Sequence, residues 1–227
     1  QTREHPNSMT TWIDGSSVYG SSIETSNWLR TFEGGKLKVS PNPWGDLLPV
    51  AQDDDQTAPP MSFVGFSADV RFIAGDSRAN EHIALMSLHV LFIREHNRLA
   101  EEIAERNPDW NDEDIYQLAR KLVAAQIQAI TYEEFLPSLG VTLVPYSGYN
   151  SSINPQVTSS FATVAFRMGH SQTGDVFLRL DENREPIENG VMDLFDGFWT
   201  TRPVTEEGGI APILRGVAAQ TQAANDI

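Results

Sequence analysis

The chain has 227 residues, 40% of them hydrophobic, enough to build a packed core in one large or two small domains. Lys and Arg number 16 against 31 Asp and Glu, and the net charge of −15 argues against nucleic-acid binding and against docking on anionic lipid. There is no cysteine, which excludes disulfides, zinc–thiolate sites and thiol nucleophiles, and no apolar run is long enough to span a membrane.

Residues 1–20 read as loop, and 21–33 as a short helix with Ser and Thr near its start. Residues 34–62 hold five prolines, three glycines and the run Asp53-Asp54-Asp55, so a long surface loop is expected. A weak strand or turn around 63–73 leads to Gly75-Asp76. The strongest helix is expected from about Asn80 to Arg106, where Leu85, Leu88, Phe92, Leu99 and Ile103 recur at helical spacing. A second runs from about Glu113 to Phe135, with Asp112 as its cap and Pro137 and Gly140 at its end. The short link at 107–111 predicts an antiparallel pair. Beyond a loop at 141–155, a helix over 156–168 stops at Gly169, a brief strand covers 175–180, and shorter helices cover 191–199 and 210–224. The class is mainly α. The chain opens at Gln1 without Met or a signal peptide and ends straight after a helix, so it reads as a mature product or an internal piece.

Four clusters could carry chemistry. His82, His89 and His96 share a helix face, but seven-residue steps separate neighbours by about 10.5 Å, too far for one metal ion, so packing or hydrogen bonding is their simpler role. His170 follows an apolar helix and Gly169, whose missing side chain would let a flat partner approach; a structural histidine is the alternative. Arg78 and Glu81, three apart at a helix start, share one face as a functional couple or as a charge pair suited to the helix dipole. Thr10, Trp12, Asp14 and Ser16 alternate along an extended loop and could offer hydroxyl, carbonyl, carboxylate and hydroxyl oxygens to Ca²⁺; the alternative is a polar turn around Asp14-Gly15.

Taken together, five segments resemble the animal haem peroxidase family, the peroxidase–cyclooxygenase superfamily, and fall in that family's order. TTWIDGSSVYGS at 10–21 is similar to its calcium loop. FIAGDSRANEHIALMSLHVLFIREHNRLA at 72–100 is similar to its distal arginine–glutamate segment, and NPDWNDEDIYQLARKLVAAQIQAITYEEFLPSLG at 107–140 to the helix that follows. FATVAFRMGHS at 161–171 resembles the proximal-histidine helix, and EEGGIAPILRGV at 206–217 the segment after it.

The resemblance implies a single, partial, mainly α haem peroxidase domain over 1–227, with the calcium loop at 9–21, the distal segment at 72–106 and the proximal segment at 156–171. It implies haem b with His170 as axial iron ligand, Arg78 as the distal arginine that polarises peroxide, Glu81 as a carboxylate able to esterify a haem methyl, and Arg167 as partner of a propionate. It implies Ca²⁺ at Thr10, the Trp12 carbonyl, Asp14 and Ser16. The substrates implied are hydrogen peroxide and small anionic or phenolic electron donors. The alternatives are a non-catalytic haem- or calcium-binding scaffold and a fatty-acid oxygenase relative. His82 stands where one member carries a haem-linked methionine, so no sulfonium bond is expected. The family's distal histidine lies upstream of the calcium loop and its proximal-side asparagine further downstream; His5 and Asn225 match neither. The remaining segments of the same peroxidase are therefore expected partners. The resemblance implies an extracellular setting, and the absent cysteines suggest a bacterial member.

Overall fold

The computed structural model describes residues 9–63 and 71–224. Two short helices come first, α1 at Ser16–Tyr19 and α2 at Ile23–Leu29, the latter capped by the Ser22 hydroxyl, which accepts the Thr25 N–H. The long helices are α3 at Ile83–Arg106 and α4 at Asp112–Ala129. A π-helical turn, Ile130–Phe135, continues α4 into the single turn α5 at Leu136–Ser138, and Gly140 with φ of 77° ends the run. The short α6 at Ser159–Thr163 is followed by a 3-10 helix, Ala165–Gln172. An antiparallel hairpin then pairs β1 at Val176–Leu180 with β2 at Pro186–Asp193, in the register Val176↔Asp193, Leu178↔Val191 and Leu180↔Pro186 with a bulge between the last two. A 3-10 turn, Phe195–Gly197, the short α7 at Arg202–Thr205 and α8 at Ile210–Ala219 complete the chain.

The spacing of apolar residues explains why α3 is central. Ile83, Met86, Val90, Ile93, Leu99, Ala100 and Ile103 are buried on one stripe, against Ile115, Tyr116, Ala119 and Val123 of α4, Tyr19 of α1 and Ile210 and Ile213 of α8. The Gln126 amide donates to Glu95 at 2.7 Å; Glu95 lies twelve residues before the start of the link at 107–111 and Gln126 fifteen after its end, as an antiparallel pair requires. α8 lies so close to β1 that a Cβ on Gly216 would overlap the Leu178 carbonyl. The Gln220 side chain then extends the sheet, accepting from Leu178 N at 3.0 Å and donating to Val176 O at 2.8 Å.

Several sequence expectations shift. The α3 helix begins at Ile83, because the His82 imidazole takes the cap position and its Nδ1 accepts the Leu85 N–H at 3.2 Å. The α4 cap is Asn111, whose side chain accepts Asp114 N–H; Asp112 instead accepts the Gly35 N–H and pairs with Arg30. The helix expected over 156–168 is broken at Val164 and its 3-10 continuation passes through Gly169 to Gln172. The helix expected over 191–199 is wrong: its first residues form β2, because the tight turn at Asp181–Glu185 folds them back onto β1. The loop at 34–62 is not all surface. Leu37, Leu47 and Leu48 are buried, and isolated bridges Arg30↔Leu37, Ser40↔Leu47 and Val50↔Phe72 pin it to the body. Much of the expected element at 63–73, together with His5 and Asn225, lies outside the described residues.

Candidate functional site

Arg78 and Glu81 lie in the turn that precedes α3 rather than in its first helical turn. Glu81 N–H donates to the Arg78 carbonyl at 2.8 Å, which folds the two residues together, and the Glu81 charge lies within electrostatic reach of the guanidinium. The turn rests on a fixed base. Asn80 is buried and its amide brackets Phe72, accepting from Phe72 N at 3.2 Å and donating to Phe72 O at 2.8 Å. Gly75 is pressed onto the end of the 10–20 loop: a Cβ there would sit 2.5 Å from the Ser16 carbonyl oxygen and 2.7 Å from the Tyr19 nitrogen. Glu81 is half-buried and makes no side-chain hydrogen bond or ion pair among the described residues.

His82 turns away from this couple. Its ring stacks at 5.7 Å on Phe177 of β1 and meets the Phe198 ring at a tilt at 5.5 Å, and His82 bridges Phe198 through the backbone while Trp199 N–H donates to the Glu81 carbonyl at 3.0 Å. Burial pushes the His82 imidazole below its ordinary titration range. The segment after His170 meets the start of α3 here. Ala84, three residues beyond Glu81, and Gln172, two beyond His170, line one cavity of about 220 Å³ with Phe177 of β1 and Val217 and Gln220 near the end of α8.

His170 itself is exposed on the 3-10 helix, and its imidazole has no partner among the described residues. Around it stands an accessible apolar surface made by Phe161, Val164, Phe166 and Met168. Apart from its own helical backbone and chain neighbours, no atom of the described residues lies within 4 Å of where a Gly169 Cβ would be, so the backbone beside His170 is open to a bulky partner. The Arg167 guanidinium lies 5.0 Å from the Phe166 ring centre and donates weakly to the Ala162 carbonyl at 3.3 Å.

The 10–16 loop is not an extended ladder of oxygens. Thr10 Oγ1 accepts the Trp12 N–H at 3.1 Å, Asp14 Oδ1 accepts the Ser16 N–H at 3.0 Å, and the Ile13 carbonyl accepts from Gln128 at 2.6 Å, so the loop is two successive turns that end in α1. Among the described residues, no three His, Asp or Glu side chains gather as metal ligands. Asp14 is the one carboxylate among Thr10, Trp12, Asp14 and Ser16, so this loop does not fit a tight calcium site by itself.

The model of the family described as animal haem peroxidase matches residues 1–227, the whole chain. The chain belongs to the animal haem peroxidase family. Peroxidasin homolog of Mus musculus is 40% identical over 230 residues, which cover 95% of this chain and 15% of the relative. Lactoperoxidase of Homo sapiens is 38% identical over 227 residues, covering 96% and 32%. Among solved structures, peroxidase A from Dictyostelium discoideum superposes with a TM-score of 0.89 at 34% identity, over 97% of this chain and 42% of that one. A fatty acid alpha-dioxygenase of Arabidopsis thaliana reaches a TM-score of 0.64 at 21% identity, over 94% and 36%, a likeness of fold alone. The chain therefore spans less than half the length of these relatives. The residues present suit the family's prosthetic group: a free imidazole and a guanidinium on an open apolar surface match what an iron porphyrin with acidic propionates would need.

Sequence reading missed Asp76. It is buried and takes the Arg78 guanidinium on both of its oxygens. The signal was present, since a carboxylate two residues before an arginine in a turn is placed to reach back to it.

Proposed function

We propose that this chain supplies the proximal ligand and part of the distal wall of a haem b peroxidase acting on hydrogen peroxide. The observation that carries the reading is the family match over residues 1–227, taken with Arg78, Glu81 and His170 standing in the motifs that resemble the family's distal and proximal segments. The haem, when bound, supplies the redox chemistry, taking oxidising equivalents from H₂O₂ and passing them to halides, thiocyanate or phenols. His170 holds the iron through an imidazole that no other described side chain claims. Arg78 offers guanidinium N–H groups to the charge that develops as the peroxide bond breaks. Glu81, without a side-chain partner among the described residues, would be available to form an ester with a haem methyl, with H₂O₂ as the oxidant that takes the two electrons the methyl C–H gives up. Arg167 pairs with a propionate. The acid–base group that moves the peroxide proton comes from the remaining segments of the same peroxidase, and a complete Ca²⁺ site needs a second carboxylate from them. The lack of cysteine in an extracellular enzyme favours a bacterial source.

Spectroscopy of the purified chain loaded with haem tests this. Wild type should show an imidazole-ligated ferric spectrum that changes with H₂O₂ and returns on adding iodide. His170→Ala should lose the ligated spectrum, and an unchanged spectrum refutes the ligand assignment. Haem should remain with the protein in acid acetone and be released by Glu81→Gln.

A further inference from the structure

Arg78 is more than half exposed, with 59% of its side chain accessible, whereas the Asp76 side chain retains only 11%. A guanidinium on a flexible stem in that setting would ordinarily sample many rotamers. Here three donors of Arg78, two of them on the guanidinium, are fixed on one carboxylate. The Arg78 backbone N–H donates to Asp76 Oδ1 at 2.8 Å, Nε donates to the same oxygen at 3.0 Å, and Nη2 donates to Oδ2 at 2.7 Å.

The backbone that carries this carboxylate is itself held. Ala79 N–H donates to the Asp76 carbonyl at 3.2 Å, and the preceding Gly75 is seated against the backbone of Ser16 and Tyr19. The guanidinium also keeps the Asp76 carboxyl below the usual carboxylate range, against the opposing effect of burial. A second charge in the vicinity could compete for either partner, and neither candidate does. Glu81 is within electrostatic reach of Arg78, yet the ion pair forms with Asp76. His89 is buried and in reach of Asp76, but burial favours its neutral form and its Nδ1 bonds the Leu85 carbonyl at 2.9 Å.

We propose that Asp76 is the positioning residue for Arg78: its buried carboxylate holds the Nε–Nη2 edge of the guanidinium, leaves Nη1 to donate to the reacting peroxide and keeps the arginine off Glu81. The inference rests on the peroxidase reading for what Arg78 acts on. The clamp itself is a property of this chain's own atoms. Fixing a donor before the reaction is what makes such a group effective, because no reorganisation is left for the moment when charge develops. Releasing Arg78 also has a second effect, since the freed guanidinium can fall onto the Glu81 carboxylate.

The test uses the full chain in two arms. Without haem, ¹⁵N relaxation of the Arg78 Nε–H signal should report a rigid group in wild type and a mobile one in Asp76→Ala; equal mobility in both overturns the clamp. With haem, stopped-flow measurement of the Soret change on mixing with H₂O₂ should give a second-order rate constant about tenfold or more lower in Asp76→Ala, with Asp76→Glu recovering part of the loss. The double variant Asp76→Ala/Arg78→Ala should be no slower than Arg78→Ala alone, because Asp76 acts through the arginine. Additive losses overturn the inference. If wild type fails to respond to peroxide, the peroxidase reading falls, and the relaxation arm still decides whether Asp76 holds Arg78.

Discussion

Lowering the pH should expose His96 as a point of acid weakness in the core. Its side chain is fully buried between α1 and α4, and both ring nitrogens are committed. Nε2 bonds the Gly35 carbonyl at 2.8 Å, and a carbonyl only accepts, so the proton is on Nε2. Nδ1 must then accept the Tyr19 hydroxyl at 2.8 Å. Protonating Nδ1 breaks that bond, and desolvation, with Arg30 and Arg120 nearby, lowers the pKa from 6.5 to about 4, while the Gly35 bond opposes the shift. Unfolded, the imidazole takes its proton near 6.5; folded, it resists until about pH 4. The stability held by the neutral imidazole is thus complete above pH 6.5 and drains away as the pH falls, by about 2.5 kcal/mol at about pH 4.5. Urea unfolding of wild type and His96→Gln at about pH 7.5 and about pH 4.5 isolates this share, because the lowered carboxylates such as Asp76 and the other histidines act in both proteins. The variant should be weaker at neutral pH and lose about 2 kcal/mol less than wild type on acidification. Parallel losses in the two proteins would refute the tautomer and the shift together.

Gly75→Ala should destabilise the fold by about 3 kcal/mol or more or prevent soluble expression, since the added carbon meets backbone atoms of Ser16, Tyr19 and Gly20 that have no room to yield; a thermal melt within a degree of wild type would contradict the packing. Arg30→Met should cost about 2–3 kcal/mol in urea unfolding. It removes a buried guanidinium paired with Asp112 at 2.7 Å and Glu113 at 2.5 Å and stacked 3.8 Å over Tyr116, and the loss is held below that of a dry ion pair because Glu113 reaches solvent. A loss under about 0.5 kcal/mol would mean that the pair behaves as a surface one.

The long helices were legible because their apolar residues repeat with the helical period, and α3 and α4 came out within a few residues of expectation. Their ends were less legible because caps depend on what a side chain finds in space. Asp112 has the chemistry of a cap, yet Arg30, 82 residues away in sequence, claims it, and Asn111 takes the role. Residues 191–199 carry Val191, Met192, Leu194, Phe195 and Phe198 at spacings that suit a helix, and a pairing with β1 overrides them. The candidate site divides the same way. The roles proposed for Arg78, Glu81 and His170 rest on motif resemblance, since one histidine or one charge pair is compatible with many roles. At 10–16 the sequence showed the alternation of oxygen-bearing residues, but not the two turns in which Thr10 and Asp14 accept backbone N–H groups two residues on, since such local bonds depend on the loop's conformation.

The Glu81 backbone is tied at both ends, its N–H to the Arg78 carbonyl and its own carbonyl to the Trp199 N–H. The second tie reaches across more than a hundred residues, and the His82 ring closes on Phe177 and Phe198 from the same late stretch. During synthesis, α3 can coil as soon as it leaves the ribosome, but the bend ahead of it stays unset until residue 199 has emerged and docked. The shape of the bend before α3 is thus completed by residues 177–199, and a chain cut short before that stretch would keep its long helices while this bend lost one of its two backbone ties.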